Sequence, residues 1–147
     1  MQLRVEGRVE RPTGAVFGFV ARDHWRNHPR WDPNVIEIVP LDPGPIRAGS
    51  RARVRRKRTS GEEILEVLEF EADSRWVSRS QIGPFEVTMT ALTEPAGESA
   101  TRLTLIGDTR ARGAARFALP LLAPVFRRQM RKTVRRIAEM VEAEARG

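Results

Sequence analysis

The chain has 147 residues, of which 40% are hydrophobic and 31% charged, with a formal net charge of +7 and no cysteine. This is the length and composition of one globular domain with a real core, and the missing cysteines exclude a disulfide framework, thiolate metal sites and cysteine nucleophiles. The charge is unevenly placed: residues 47–58 carry seven bases and residues 110–136 nine, neither with an acid, whereas residues 59–109 carry ten acids against three bases.

LRVEGRVE, residues 3–10, alternates small or apolar with charged side chains and predicts a strand with one buried face. It lacks the apolar run of a signal peptide, so a cytoplasmic location is expected. Pro12 and Thr13 open a helix that places Val16, Phe17 and Val20 on one face, and Pro29 is expected to stop a second short helix inside HWRNHPRWDP. VIEIVPLD (35–42) reads as a strand, and the turn-rich DPGPIRAGS separates it from the basic stretch.

Strands then follow over 50–58, 62–71, 75–82, 85–94 and 100–112, joined at TSGE, ADS, IGPF and EPAGES. Connections this short cannot make parallel crossovers, so the sheet is expected to be an antiparallel meander. Leu122, Phe126, Met130, Val134, Ile137, Val141 and Ala145 recur every three or four residues and predict a long amphipathic C-terminal helix. Pro120 and Pro124 belong in its first turn or at a kink. The longest apolar run, FALPLLAPVF (117–126), is too short to span a bilayer. A strand, two short helices, six strands and a long helix make a single α+β domain over 1–147, with no repeat or linker dividing it.

The wording of several segments sharpens this order. VERPTGAVFGFVARDHWRNHPRWDPNV, AGSRARV, EVLEFEADSRW, TRLTL and LLAPVFRRQMRKTVRRIAEMVEAE together span nearly the whole chain. The combination resembles the START/Bet v 1-like (SRPBCC) superfamily, and within it the small bacterial polyketide cyclase/dehydrase-like proteins. The resemblance implies a helix-grip fold, in which a curved seven-stranded antiparallel sheet wraps the long C-terminal helix. It also implies an apolar cavity between the two that takes a lipid, sterol or polyketide-like molecule. A strongly curved sheet cannot close completely on one helix, and the volume left over becomes such a pocket.

On that reading Phe85, Val87, Met89 and Ala91 on one strand, Leu103 and Leu105 on the next, and Phe126 and Met130 on the helix form the cavity wall. Trp31 and Trp76 are rim candidates, and Val54 and Arg56 of the basic stretch complete the set. His24, His28 and Asp32 are spaced by four, but Pro29 interrupts them and no further His or Cys exists, so no metal is expected. The two histidines are then residues of a solvated loop. Glu66, Asp108 and Arg56 are the strand residues that would supply an acid or base if they faced inward, with an ion pair the commoner use of a buried charge.

The expected function is a carrier or binding protein for a hydrophobic or aromatic small molecule, with no cofactor. An aromatase/cyclase-type enzyme is the alternative, since positioning alone can supply much of such a rate. Nucleic-acid binding is disfavoured because SRARVRRKRT (50–59) is expected to form a sheet edge paired with the acidic EEILEVLEFE across a hairpin. The register of that hairpin is open, so Arg56 belongs either to the surface or to the cavity. The bases at 127–136, next to the apolar run, also suit a peripheral contact with an anionic membrane.

Overall fold

The structure, a computed structural model, describes residues 1–57 and 61–146. Arg58 and the Thr59–Ser60 part of the expected TSGE turn lie outside the described residues, as does Gly147. Seven strands form one sheet: β1 (Gln2–Val9), β2 (Val35–Pro40), β3 (Arg51–Arg56), β4 (Glu63–Glu71), β5 (Arg75–Ile82), β6 (Phe85–Pro95) and β7 (Thr101–Ala111). Their order is β1-β7-β6-β5-β4-β3-β2, every pairing antiparallel. From β2 onward the chain is the expected meander, closed by β1 pairing back onto β7.

Between β1 and β2 lie α1 (Thr13–Phe17), a π-helical turn (Gly18–Arg22) and α2 (His24–Trp31). After β7 a 3-10 turn (Gly113–Phe117) leads into the long helix α3 (Leu119–Arg146). This is the α+β helix-grip arrangement of Bet v 1-like domains, with the curved sheet wrapped around α3. Pro120 falls in the first turn of α3 and Pro124 lies inside it.

The alternation of β1 holds: Leu3, Val5 and Val9 are buried and the charged residues between them exposed. Gly7 occupies the remaining inward position because α3 crosses β1 there. A Cβ on Gly7 would lie 2.6 Å from Cγ1 of Val134, far inside contact distance. Leu103, Leu105, Met130, Val134, Ile137 and Val141 fill the space between sheet and helix. In β4 a bulge between Val67 and Glu69 shifts the phase of the strand, so that Phe70 packs edge-on against Phe17 at 5.2 Å.

Two expectations fail here. Pro29 does not stop the second helix: α2 runs through it to Trp31. A proline inside a helix forfeits one backbone hydrogen bond and crowds the carbonyl four residues back. The burial of His24, Asn27, His28 and Trp31, at i, i+3, i+4 and i+7, outweighs that cost. The basic stretch, moreover, is not the sheet edge, because β2 lies outside it. Its arginines are answered from both sides: Arg53 pairs with Glu62 and Arg56 with Glu63 across the hairpin, while Arg51 reaches Asp42 and Arg55 reaches Glu37.

Candidate ligand cavity

Between the sheet and α3 lie two adjoining chambers that share wall residues. The outer one, about 580 Å³, is lined by Phe85, Val87 and Met89 of β6, Leu105 of β7, and Phe126 and Met130 of α3, with Lys132 and Arg136 among its few charged groups. These apolar side chains meet because strand alternation sends every second residue inward and the helix presents its stripe to the same space. Phe85 and Phe126 touch edge-on at 6.4 Å. Gly107 lies opposite Met130 and Met89, where a Cβ would take up cavity space.

The inner chamber is smaller, about 150 Å³. Trp31 and Trp76 line it together with His24, His28, Ser78, Ser80, Asp32 and Arg56. Trp31, Arg56, Val87, Met89 and Leu105 are common to both chambers. The structure thus places ten of the twelve candidate residues on the walls of these two chambers. Val54 is one exception: it is fully buried and lines neither chamber. Leu103 is likewise core, whereas Ala91 lines the inner chamber.

The hairpin register settles Arg56. Ala52 pairs with Leu65 and Val54 with Glu63, which turns Ala52, Val54 and Arg56 inward together. The same register turns Glu66 outward, where Arg79 meets it at 3.0 Å. Asp108 also leaves the cavity wall, since Gly107 and Thr109 are the inward residues beside it. Neither Glu66 nor Asp108 is therefore a cavity acid. The inward carboxylates are Glu63 and Asp32: Arg56 Nε donates to Glu63 at 2.6 Å and Arg56 Nη1 to Asp32 at 3.2 Å.

The histidines are not on a solvated loop. Both lie buried on α2, 5% and 9% exposed, because the π-helical turn and the phase of α2 aim their face into the sheet. His24 stacks on Trp76 with ring centroids 4.3 Å apart and planes 13° from parallel, and His28 stacks on Trp31. His24 Nδ1 lies 2.7 Å from the Val20 carbonyl and must carry a proton there. Its Nε2 is then an acceptor for His28 Nδ1, 3.2 Å away. His28 Nε2 lies 3.6 Å from Asp32, so one row runs from Val20 through His24, His28, Asp32 and Arg56 to Glu63.

This row explains its own titration. Burial, and then the neighbouring His28, hold the His24 pKa well below its ordinary 6.5. Burial works to raise that of Asp32, but His28, the Asn34 backbone N–H and Arg56 overcome it and bring it to about 2. Burial likewise opposes the charge on Arg56, and Glu63 and Asp32 more than compensate. Sequence reasoning missed the row because one proline was allowed to end a helix; the spacing His24, Asn27, His28, Trp31 was the available signal. Among the described residues no group of three or more metal-ligating side chains is present, and no helix is long and apolar enough to cross a membrane.

A curved sheet that grips a long helix over a largely apolar cavity defines the class: a Bet v 1-like domain with an internal cavity. The chain belongs to the polyketide cyclase/dehydrase and lipid transport family, whose model matches residues 2–142. Solved structures agree on the fold. The Zhui aromatase/cyclase from a Streptomyces species superposes with a TM-score of 0.77 at 12% identity, covering 99% of this chain and 95% of that one. Ara h 8.0201 superposes with a TM-score of 0.75 at 12% identity, covering 97% and 98%. The di-domain aromatase/cyclase BexL gives a TM-score of 0.77 at 18% identity over 97% of this chain, which spans only 46% of that protein. No curated protein matches the chain by sequence.

Proposed function

We propose that the protein binds an apolar or aromatic small molecule, of lipid, sterol or polyketide-like kind, in the cavity between sheet and α3, and serves as its carrier. The observation that carries this reading is the outer chamber, whose apolar walls and volume of about 580 Å³ match ordinary small-molecule pockets. The family, which takes in both polyketide cyclases and lipid transport, supports a ligand in this place. The alternative, a cyclase like Zhui or BexL, needs an acid or base free to act on the ligand. The inward-facing candidates are largely committed to one another: both nitrogens of His24 are hydrogen-bonded, and Asp32 and Glu63 hold Arg56. A carrier needs no such group.

Saturable binding of a fluorescent apolar probe tests the reading. Met89→Arg, which puts a charge on the wall shared by both chambers, is expected to weaken that binding at least ~30-fold, since an unpaired charge there costs several kcal/mol. Absence of binding across lipid, sterol and aromatic probes refutes the carrier reading. Turnover of a polyketide-like substrate that His28→Gln abolishes replaces it with the cyclase.

A peripheral membrane contact is the second reading, favoured by one exposed surface. Phe117, Leu121 and Val125, spaced by four, are 69%, 80% and 49% exposed. They sit among Arg112, Arg116 and Arg128 in a segment without acids, and Val125 adjoins the Phe126 of the cavity wall. Exposed apolar side chains in an arginine-rich segment suit the interface of an anionic bilayer. Co-sedimentation with phosphatidylglycerol vesicles is expected to exceed that with phosphatidylcholine vesicles at least ~5-fold, and Leu121→Glu is expected to remove the difference. Equal binding to both vesicles rejects the reading.

A further inference from the structure

Most polar groups of the inner chamber are already satisfied. Both nitrogens of His24 are engaged, Asp32 accepts from Asn34 and Arg56, and three of the five N–H groups of Arg56 are taken by Glu63 and Asp32. Ser78 and Ser80 differ. They are next but one on β5, they line the chamber, and they are only 5% and 9% exposed. Neither hydroxyl has a hydrogen-bond partner among the described residues. Among the described residues the one fully buried side-chain oxygen without a partner is Thr104 Oγ1, so both serine hydroxyls open onto the chamber, where two on one wall can hydrogen-bond an oxygen-bearing group that enters.

Charge and size narrow that group. Around the chamber Asp32 and Glu63 stand against Arg56, two carboxylates for one guanidinium. A ligand carboxylate would add a third negative charge where the cation is already shared. Lys132, by contrast, lines only the outer chamber, so an acidic group on a ligand belongs there. A cavity of about 150 Å³ takes one benzene-sized ring, and the Trp31 and Trp76 side chains offer it flat walls.

From this we infer that the inner chamber binds an aromatic ring through a neutral hydroxyl or keto oxygen, with Ser78 and Ser80 as the partners of that oxygen. The rest of the ligand extends into the outer chamber. The inference rests on the ligand-binding reading above and adds which end of the molecule goes in first, and in what charge state.

Three probes of one shape test it at pH 7: naphthalene, 2-naphthol and 2-naphthoate, each competed against a fluorescent apolar probe. The protein is expected to bind 2-naphthol at least ~10-fold tighter than naphthalene, the value of one good hydrogen bond, and 2-naphthoate no tighter than naphthalene. Ser78→Ala combined with Ser80→Ala is expected to bring naphthol within ~3-fold of naphthalene while naphthalene binds as before, which also shows that the chamber is intact. If the double variant does not fold, Ser80→Ala alone is expected to lose at least ~3-fold of the preference. Naphthol no tighter than naphthalene, a preference that survives the substitutions, or naphthoate as the tightest probe overturns the inference while leaving ligand binding standing. Failure of all three to bind overturns ligand binding itself, and the inference with it.

Discussion

One environment keeps His24 neutral and Asp32 ionised, and both make the fold sensitive to acid. Folded Asp32 titrates at about 2 against an ordinary 3.8, so its contribution is complete above about pH 3.8 and is lost as the pH falls toward 2. Folded His24 titrates well below 6.5. The unfolded chain therefore takes up that proton first, and stability declines as the pH falls below about 6.5. Each unmatched proton contributes a slope of up to about 1.4 kcal/mol per pH unit. Urea midpoints measured from pH 7.5 to 5 are expected to fall on acidification, with His24→Gln removing most of the fall. A wild-type midpoint flat across that range would contradict a neutral, buried His24. Neither residue's role was legible in the composition: a histidine reads as polar and a proline as a stop, and only the burial of the whole α2 face reverses both.

The elements themselves were largely legible, because each carries a period that physics enforces. Alternation in β1 and a repeat of three or four residues in α3 survive from sequence to structure, and the short connections between strands leave only an antiparallel meander. Register was not legible. In the β3–β4 hairpin both strands carry charges on both faces, so the pattern pointed to Glu66 where the structure turns Glu63 inward, and the bulge at Val67–Glu69 has no sequence mark that distinguishes it. The packing of α3 against β1 is the element-level contact most open to test. Gly7→Ala is expected to destabilise the fold by about 1–3 kcal/mol, since its Cβ would collide with the stiff Val134 side chain. Val134→Ala in the same chain is expected to recover much of that loss. Additive losses in the denaturant midpoints of the two single variants and the pair would show that the close approach is not the cause.

At the scale of the molecule, charge that looks like an interface in the sequence is largely spent inside the sheet. The cluster at 47–58 is answered by Glu62, Glu63, Glu37, Asp42 and Asp32. Among the described residues no ion pair involves Arg127, Arg128, Arg131 or Arg135, so the open positive field lies along the outer side of α3. The aromatic residues are distributed just as unevenly. Trp31 and Trp76 line the inner chamber, Trp25 packs against Trp76 at 6.3 Å, and the chain has three tryptophans and no tyrosine. Every fluorophore excited in the near ultraviolet is thus concentrated at one corner, with an imidazole stacked on the most buried indole. The protein carries its own optical gauge of that corner: whatever enters or leaves the inner chamber changes the surroundings of its emitting side chains, with no label and no background from the rest of the fold.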